Sequence, residues 1–187
     1  MPFKFTRMSI PDVFLIEPKV FSDKRGVFVE LFKESEFKSN GVPSTFVQVN
    51  QSRSQKNVLR GLHYQLNPKA QAKLVSVVYG DIFDVAVDIR IGSSSYGQWV
   101  GERLSSADKK MLFIPEGFAH GFCVLSEEAE IVYYCSNEYA PDLDRSILWN
   151  DPAISVSWPI KEPLISAKDA GGKPLSEAEN NFLFKKS

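Results

Sequence analysis

Short runs of β-favouring residues, separated by turn-forming residues, are the dominant pattern in this 187-residue sequence and limit what it can fold into. Within these runs, valine, isoleucine, phenylalanine and tyrosine tend to alternate with other residues, as in half-buried strands. We predict strands at 26–32, 45–50, 58–64, 73–79, 82–89, 98–104, 111–114, 120–125 and 131–135. Many short strands at close spacing are typical of a sandwich or barrel, so the predicted fold class is all-β, a jelly-roll barrel.

Helical patterns are scarce, and only two short helices are predicted. One covers residues 35–40 and ends at Gly41. The other begins near Ser176, where the sequence Ser-Glu-Ala-Glu has the form of a capping box. Gly80-Asp81 predicts a tight hairpin between the two strands that flank it. Because no repeat, low-complexity tract or linker interrupts the chain, we expect a single domain over residues 1–187.

Charge and cysteine content restrict the partners and the compartment. The formal net charge of -1 gives no long-range attraction to nucleic acid or to an anionic membrane, so neither is an expected partner. No apolar run approaches the ~20 residues that span a bilayer, and the first residues lack the pattern of a signal peptide. Cys123 and Cys135 each lie in an apolar stretch, which favours two buried thiols over a disulfide. The expected location is therefore the reducing cytoplasm.

The chain contains two histidines, and His120 lies in a recognisable segment. It ends the sequence Pro-Glu-Gly-Phe-Ala-His, a turn that leads into a strand and resembles the second motif of the cupins. In metal-binding cupins this histidine is a ligand, completed by a His-x-His pair and a glutamate. Here His63 is followed by Tyr64 and Gln65, so the pair is missing. We therefore expect a cupin-type barrel without a metal.

The segment 57–65 places Arg60, a permanent cation, close to His63 on a predicted strand. In a regular strand these two side chains point to opposite faces, so a shared ligand requires a kink. Gly61 could supply that kink as a β-bulge. The structural alternative has Arg60 in a surface salt bridge and His63 hydrogen-bonded in the core.

Further candidates also have structural alternatives. Lys73 is in phase with apolar residues of its strand, so it lies either in a site or at the surface with its stem covered. Tyr133 and Tyr139 are either core aromatics or a proton donor and a stacking platform. Asp169 lies in the segment 166–170, which by itself favours a solvated loop.

Taken together, these residues resemble one family, the dTDP-4-dehydrorhamnose 3,5-epimerases. The similar blocks, in the same order, are 23–26, 48–50, 59–63, 83–88, 114–122, 146–151 and 166–170. The Arg-Gly-Leu-His block and the Ile-Pro-Glu-Gly-Phe-Ala-His-Gly block are specific in combination. The resemblance implies a cupin-type jelly roll that forms a homodimer and uses no metal or cofactor. It fades after Ala170, which leaves the tail unassigned.

The resemblance also implies roles for single residues. His63 is the general base, and Asp169 is the carboxylate that orients it. Tyr133 donates a proton on the opposite face, and Lys73 supports the C4 oxygen of the substrate. The implied substrate contacts are Arg25, Glu30, Gln48, Asn50, Arg60, Lys73, His120, Asp144 and Lys168, with Tyr139 stacking on the base. Asp144 stands where the family carries a glutamate, so its shorter side chain puts that contact in question.

The residue types fit this chemistry on their own terms. Inverting a carbon next to a ketone requires a base, support for an enolate and a proton donor on the other face. A histidine with a carboxylate partner suits the first task, and a lysine ammonium suits the enolate oxygen. Arginine forks suit a diphosphate. By the resemblance, the expected ligand is a nucleotide sugar, dTDP-4-dehydro-6-deoxy-D-glucose, converted to dTDP-4-dehydro-L-rhamnose.

Four alternatives stay open at this point. A single-position 3- or 5-epimerase needs the same base. A 3,4-ketoisomerase carries a second histidine where this chain has Gln65, which argues against it. A metal cupin lacks its His-x-His pair here. A non-catalytic sugar-binding cupin has no reason to keep His63, Tyr133, Lys73 and Asp169 together.

Overall fold

Two antiparallel sheets form the body of the protein, which a computed structural model describes over residues 2–42 and 45–184. The strands are β1 (Phe3–Arg7), β2 (Phe14–Pro18), β3 (Val20–Asp23), β4 (Gly26–Val29), β5 (Gln48–Gln55), β6 (Leu59–Gln65), β7 (Lys73–Tyr79), β8 (Asp81–Asp88), β9 (Trp99–Ser105), β10 (Met111–Ile114), β11 (Phe118–Val124), β12 (Glu128–Cys135) and β13 (Asp144–Ser146). The helices are α1 (Glu34–Ser39) and α2 (Ala167–Ala170), with a 3-10 turn at Pro141–Leu143. The predicted all-β fold is confirmed.

The first sheet has the strand order β1-β2-β10-β7-β12-β5, and the second has the order β13-β6-β11-β8-β9. Their facing surfaces meet in an apolar core with Val75, Leu112 and Ile131 from the first sheet and Ala86 and Phe122 from the second. Because successive side chains on a strand point to opposite faces, these residues mark the interior row of each strand. The strands β3 and β4 form a separate two-stranded hairpin.

The outward rows of both sheets are covered by other parts of the chain. On the first sheet, Leu74 and Phe113 pack in one cluster with Phe37 of α1. On the second sheet, Val85 packs in a cluster that includes Phe182 of the C-terminal segment. The tail that the sequence left unassigned therefore covers the outside of the second sheet.

At one end of the barrel the interior rows become polar. The polar interior positions are Gln48, Asn50 and Ser52 on β5, His63 on β6, Lys73 on β7, Asp84 on β8, His120 on β11 and Tyr133 on β12. The apolar core fills the rest of the interior. The fold thus gathers a polar site from six strands of both sheets.

The predicted strands are confirmed, although some boundaries differ. β7 and β10 have the predicted bounds, whereas the run predicted at 45–50 becomes a strand only at Gln48 and continues to Gln55. β4 ends earlier than predicted, at Val29. The sequence reasoning did not predict β1, β2, β3 or β13.

The first predicted helix is confirmed as α1, but the second, near Ser176, is wrong. That segment is a turn, and its backbone is held by distant partners, such as the Tyr64 hydroxyl, which donates to the carbonyl oxygen of Glu179 at 2.5 Å. A short isolated helix is only marginally stable, so such tertiary contacts override a local capping signal. The C-terminal helix lies instead at Ala167–Ala170.

The predicted hairpin at Gly80-Asp81 is also wrong. β7 belongs to the first sheet and β8 to the second, so the chain passes from one sheet to the other at this turn. Gly80 has a φ of +75°, and a Cβ on it would lie 2.1 Å from the carbonyl oxygen of Glu128. The turn chemistry was recognised correctly, but it does not specify whether the flanking strands pair.

Candidate active site

His63 is hydrogen-bonded to a buried carboxylate. β6 directs the imidazole into the interior, and α2 places Asp169 behind it, with Nε2 of the ring bonded to Oδ1 of Asp169. The Ser166 hydroxyl donates to Oδ2 of Asp169 at 2.8 Å. Burial acts to raise the pKa of Asp169, but the hydrogen bonds from His63 and Ser166 outweigh it and leave that pKa below its ordinary value. Asp169 is only 3% exposed, so the solvated-loop alternative is wrong.

Gly61 supplies the kink that lets Arg60 and His63 share a cavity. In the pairing of β6 with β11, His120 lies opposite His63 and Phe122 lies opposite Arg60, with a register shift between them. β6 thus holds one residue more than β11 in this interval, which is a bulge. Gly61 has a φ of +117°, and a Cβ on it would lie 2.5 Å from a backbone atom of β11. The predicted bulge is confirmed.

Lys73 and Tyr133 line the same cavities as His63. Lys73 begins β7, and burial lowers the pKa of its ammonium group. Tyr133 on β12 lies in register with Asn50 of β5, and burial raises the pKa of its phenol. The amine of Lys73 and the phenol of Tyr133 therefore border the same space as the imidazole.

The site is a trough made of two adjoining cavities that share His63, Lys73 and Tyr133. The first, of about 200 Å³, also involves Gln48, Asn50, Tyr64, Gln65, Gln71, Tyr139, Asp144 and Lys168. The second, of about 170 Å³, also involves Ser52, Arg60, His120 and Phe122. The structure therefore brings together most of the residues that the sequence predicted for the site.

Tyr139 and Arg60 mark opposite ends of this trough. The backbone N–H of Tyr139 donates to Oε1 of Gln48 at 2.7 Å, and Nε of Arg60 donates to the Ser54 hydroxyl at 3.1 Å. Gln48 and Ser54 lie on β5, and at ~3.3 Å per residue their Cα atoms are about 20 Å apart. The trough is therefore elongated, with the imidazole of His63, the amine of Lys73 and the phenol of Tyr133 near its middle.

Asp144 joins two predicted substrate contacts at one mouth of the trough. Its Oδ2 accepts from the Tyr139 hydroxyl at 3.1 Å and is also bonded to the ammonium group of Lys168. The hydrogen bond to Asp144 raises the pKa of Tyr139. Burial acts to lower the pKa of Lys168, but Asp144 outweighs it and raises that pKa. The aspartate thus reaches both neighbours despite being shorter than glutamate.

Two predicted site residues, Arg25 and Glu30, do not line the trough of their own chain. Arg25 is at the turn of the β3–β4 hairpin, where it pairs with Asp23 at 2.5 Å and has a 90% exposed side chain. It lines a separate cavity of about 500 Å³ on the hairpin. Glu30 directly follows β4. Among the described residues, neither one lines the cavities around His63.

One buried carboxylate of the site received no role from the sequence. Asp84 on β8 is fully buried, and its Oδ1 is bonded to Nε2 of His120 at 2.7 Å. The sequence does contain a signal for this residue, an aspartate in the middle of an apolar strand. Such a position predicts a buried carboxylate, and a fully buried charge almost always has a partner. The sequence does not say which partner that is.

Within residues 2–42 and 45–184, no three histidine, cysteine, aspartate or glutamate side chains cluster as metal ligands. The same residues contain no helix that is long and apolar enough to cross a membrane. Cys123 and Cys135 are both buried and free, as predicted.

A sequence model of one protein family matches most of the chain. The family is described as dTDP-4-dehydrorhamnose 3,5-epimerase, and the match covers residues 7–177. This chain belongs to the dTDP-4-dehydrorhamnose 3,5-epimerase family. The resemblance seen in the sequence blocks is thereby confirmed, and the protein is an isomerase of the epimerase class.

Relatives of this epimerase align along nearly its whole length. The dTDP-4-dehydrorhamnose 3,5-epimerase of Shigella flexneri is 53% identical over 174 residues, which cover 92% of this chain and 96% of that protein. A dTDP-6-deoxy-D-glucose-3,5-epimerase from Legionella pneumophila, in complex with dTDP-4-keto-L-rhamnose, has a TM-score of 0.90 and 47% identity over 94% of each chain. A dTDP-4-dehydrorhamnose 3-epimerase of Streptomyces niveus is 37% identical over 94% of this chain and 86% of that protein. Enzymes named for one and for two epimerised positions are thus both similar to this epimerase.

Proposed function

We propose that this epimerase inverts C3 and C5 of dTDP-4-dehydro-6-deoxy-D-glucose and forms dTDP-4-dehydro-L-rhamnose for dTDP-L-rhamnose biosynthesis. The observation that carries the proposal is that His63, backed by Asp169, shares one trough with Lys73 and Tyr133. The Legionella pneumophila relative, which holds dTDP-4-keto-L-rhamnose, supports the identity of the product. Inversion at both carbons is favoured because the Shigella flexneri 3,5-epimerase is 53% identical, whereas the Streptomyces niveus 3-epimerase is 37% identical.

His63 acts as the base in this proposal. Its Nε2 is bonded to Asp169, so Nδ1 is the nitrogen that takes a proton from the carbon next to the C4 ketone. The electron pair of the broken C–H bond moves toward C4, and negative charge develops on the C4 oxygen. Asp169 fixes the tautomer of the ring and offsets the charge of the imidazolium that forms.

Lys73 and Tyr133 complete the reaction from other sides of the ring. The Lys73 ammonium stabilises the enolate oxygen, where charge develops only during the reaction and where a low dielectric strengthens the effect. Tyr133 returns a proton to the opposite face of the carbon. Because burial raises the pKa of the Tyr133 phenol, the hydroxyl is protonated near pH 7 and able to donate. The ketone acidifies both neighbouring carbons, so the chemistry requires neither a metal nor a redox cofactor.

The remaining polar side chains of the trough bind the nucleotide sugar in this proposal. Their assigned positions are Gln48, Asn50, Arg60, Lys73, His120, Tyr139, Asp144 and Lys168. Tyr139 is 56% exposed at one mouth, where its ring is free to stack on the base. Lys168, at the same mouth as Tyr139, supplies positive charge for the diphosphate, and Arg60, at the far end, donates hydrogen bonds to oxygens of the sugar.

We infer that the enzyme works as a homodimer. The β3–β4 hairpin exposes Val27 and Phe28 by 62% and 64%, and exposed apolar groups of this kind mark interaction surfaces. Docking of the hairpin on a second copy would bring Arg25 and Glu30 to that copy's trough. A cytoplasmic location is supported by Cys123 and Cys135, which stay unpaired although both are present in the fold.

Exchange with heavy water tests the proposed reaction. The purified enzyme is incubated with dTDP-4-dehydro-6-deoxy-D-glucose in deuterium oxide, and the product is reduced and analysed by mass and NMR. We expect deuterium at both C3 and C5 and the L-rhamno configuration. Deuterium and inversion at one carbon alone would instead establish a single-position epimerase. No exchange at either carbon would refute the proposal.

A further inference from the structure

β8 carries two fully buried carboxylates with very different surroundings. Asp88 accepts hydrogen bonds from Arg90 at 2.8 Å, from Ser93 at 2.6 Å and from Ser95 at 2.7 Å. Asp84 is bonded to Nε2 of His120 at 2.7 Å, and its Oδ2 is buried with no partner among the described residues. Buried carboxylates that serve the fold are normally saturated with hydrogen bonds, as Asp88 is. Asp84 therefore requires a different explanation.

The strand register places Asp84 directly behind the trough. Asp84 lies between Ile82 and Ala86 on the interior row of β8, and it is paired with Phe122 of β11. His120, two residues away on β11, lines the trough with its ring and is 7% exposed. The carboxylate thus contacts one side of the imidazole, and the trough borders the other.

An uncharged His120 fits these surroundings. Burial lowers the pKa of His120, Asp84 opposes that effect, and Lys73 and His63 lower the pKa further. The ring is therefore mostly neutral near pH 7 and carries a single N–H. If that N–H is on Nε2 and donates to Asp84, then Nδ1 is an acceptor that faces the trough. A neutral acceptor binds a hydroxyl group well and a diphosphate poorly.

We propose that Asp84 is a positioning residue, which holds His120 in the Nε2–H tautomer so that Nδ1 accepts a hydrogen bond from a sugar hydroxyl of the substrate. The proposal rests on the proposed function in so far as the trough takes a nucleotide sugar. Asp84 acts through His120 and does not itself line the trough. The reverse tautomer would present Nδ1–H to the ligand and would suit a carbonyl or phosphate oxygen instead.

Nitrogen NMR of the imidazole rings tests the tautomer without any enzymatic readout. The chain has two histidines, so a protein labelled with ¹⁵N at histidine gives two ring systems, and His63→Asn leaves only His120 for assignment. We expect wild-type His120 to show a protonated Nε2 and an unprotonated Nδ1 at pH 7. Asp84→Asn should shift the ring toward a mixture, because an amide can either accept from or donate to Nε2. A protonated Nδ1 in the wild type would overturn the proposal, whether or not the variant folds.

Asp84→Asn and Asp88→Asn form a matched pair, because both residues are fully buried on the same strand. Asp84→Asn should lower kcat/KM for the nucleotide sugar by about tenfold to a hundredfold, as expected for one impaired hydrogen bond in a buried site. Its affinity for dTDP, which lacks the sugar, should stay within about twofold of the wild type. Asp88→Asn should lower the melting temperature and leave the His120 nitrogen signals and kcat/KM unchanged.

Two results of the paired experiment would contradict a positioning role. One is an equal loss of affinity for dTDP and of kcat/KM for the sugar in Asp84→Asn, which would assign His120 to the diphosphate. The other is unchanged kinetics together with unchanged nitrogen signals, which would make Asp84 structural. Failure of the proposed function is separate, because it would show as a wild-type enzyme that does not convert the sugar, while the nitrogen signals would still report on the Asp84–His120 pair.

Discussion

At the scale of single residues, the chemistry depends on the carboxylates that lie behind the two imidazoles. Asp169 is bonded to His63 and Asp84 is bonded to His120, each through Nε2 of the ring. In both pairs the carboxylate sets which nitrogen faces the trough. The two carboxylates differ in what else they bind. Asp169 also accepts from Ser166, whereas one oxygen of Asp84 has no partner within residues 2–42 and 45–184.

His63→Ala should abolish deuterium incorporation at C3 and C5 while dTDP affinity and the fold are retained, because the variant removes only the proposed base. Asp169→Asn should fold but exchange at least about a hundredfold more slowly, because an amide orients the ring without offsetting the imidazolium charge. The mass gain of the substrate in deuterium oxide measures both variants beside the wild type. Exchange near the wild-type rate in His63→Ala would show that another group is the base.

Asp169 should also affect how the free energy of unfolding changes at acidic pH. Its folded-state pKa lies below its ordinary value of about 3.9, so its contribution is fully present above that pH and is lost as pH falls through the folded pKa. Asp169→Asn should therefore lower the free energy of unfolding at pH 6, and the difference from the wild type should shrink at pH 3. Urea unfolding at the two pH values measures it. A difference that does not change with pH would mean that the pair with His63 adds no pH-linked stability.

At the scale of elements, the bulge on β6 decides the geometry of the site. The sequence could predict it, because a shared ligand for Arg60 and His63 required a kink and Gly61 lies between them. It could not predict which strands share a sheet, because the residues at Gly80 specify a turn and not the partner of each strand. The prediction of a helix near Ser176 was wrong for a related reason, since hydrogen bonds to residues distant in sequence fix that segment.

Gly61→Ala tests the bulge. At φ +117° an alanine is strained, and its Cβ would collide with β11. We expect a loss of about 1–3 kcal/mol from strain and a similar further loss from overpacking, together with a lower kcat/KM, because the bulge positions both Arg60 and His63. Gly92→Ala is the control, because Gly92 has a φ of +86° with open space around its Cβ position. Thermal and urea unfolding should show a clearly larger loss for Gly61→Ala, and equal losses would mean that the close approach of the two strands is unimportant.

At the scale of the whole molecule, the sequence predicted which residues belong to the site better than it predicted which of them contact one another. Six strands and α2 converge on one end of the barrel and bring together His63, Lys73, Tyr133 and Asp169. This meeting was foreseeable because the short motifs of the chain match those of one family in the same order. Asp84 was missed because a buried aspartate does not reveal its partner. Arg25 lies outside the trough of its own chain, and the sequence does not reveal that separation.

The last prediction follows from the proposed homodimer and concerns Arg25. If the hairpin of one copy serves the trough of the other, Arg25→Ala and His63→Ala should each be nearly inactive alone. After unfolding and refolding of an equal mixture, half of the dimers are mixed, and each mixed dimer has one trough with both residues intact. We therefore expect about a quarter of the wild-type activity. The control is an equal mixture of His63→Ala and Lys73→Ala, which should stay inactive because both residues line the trough of a single chain. Sedimentation should show a dimer in every sample. Activity no higher than that of the separate variants would place Arg25 outside the partner's trough and remove the structural reason for the dimer.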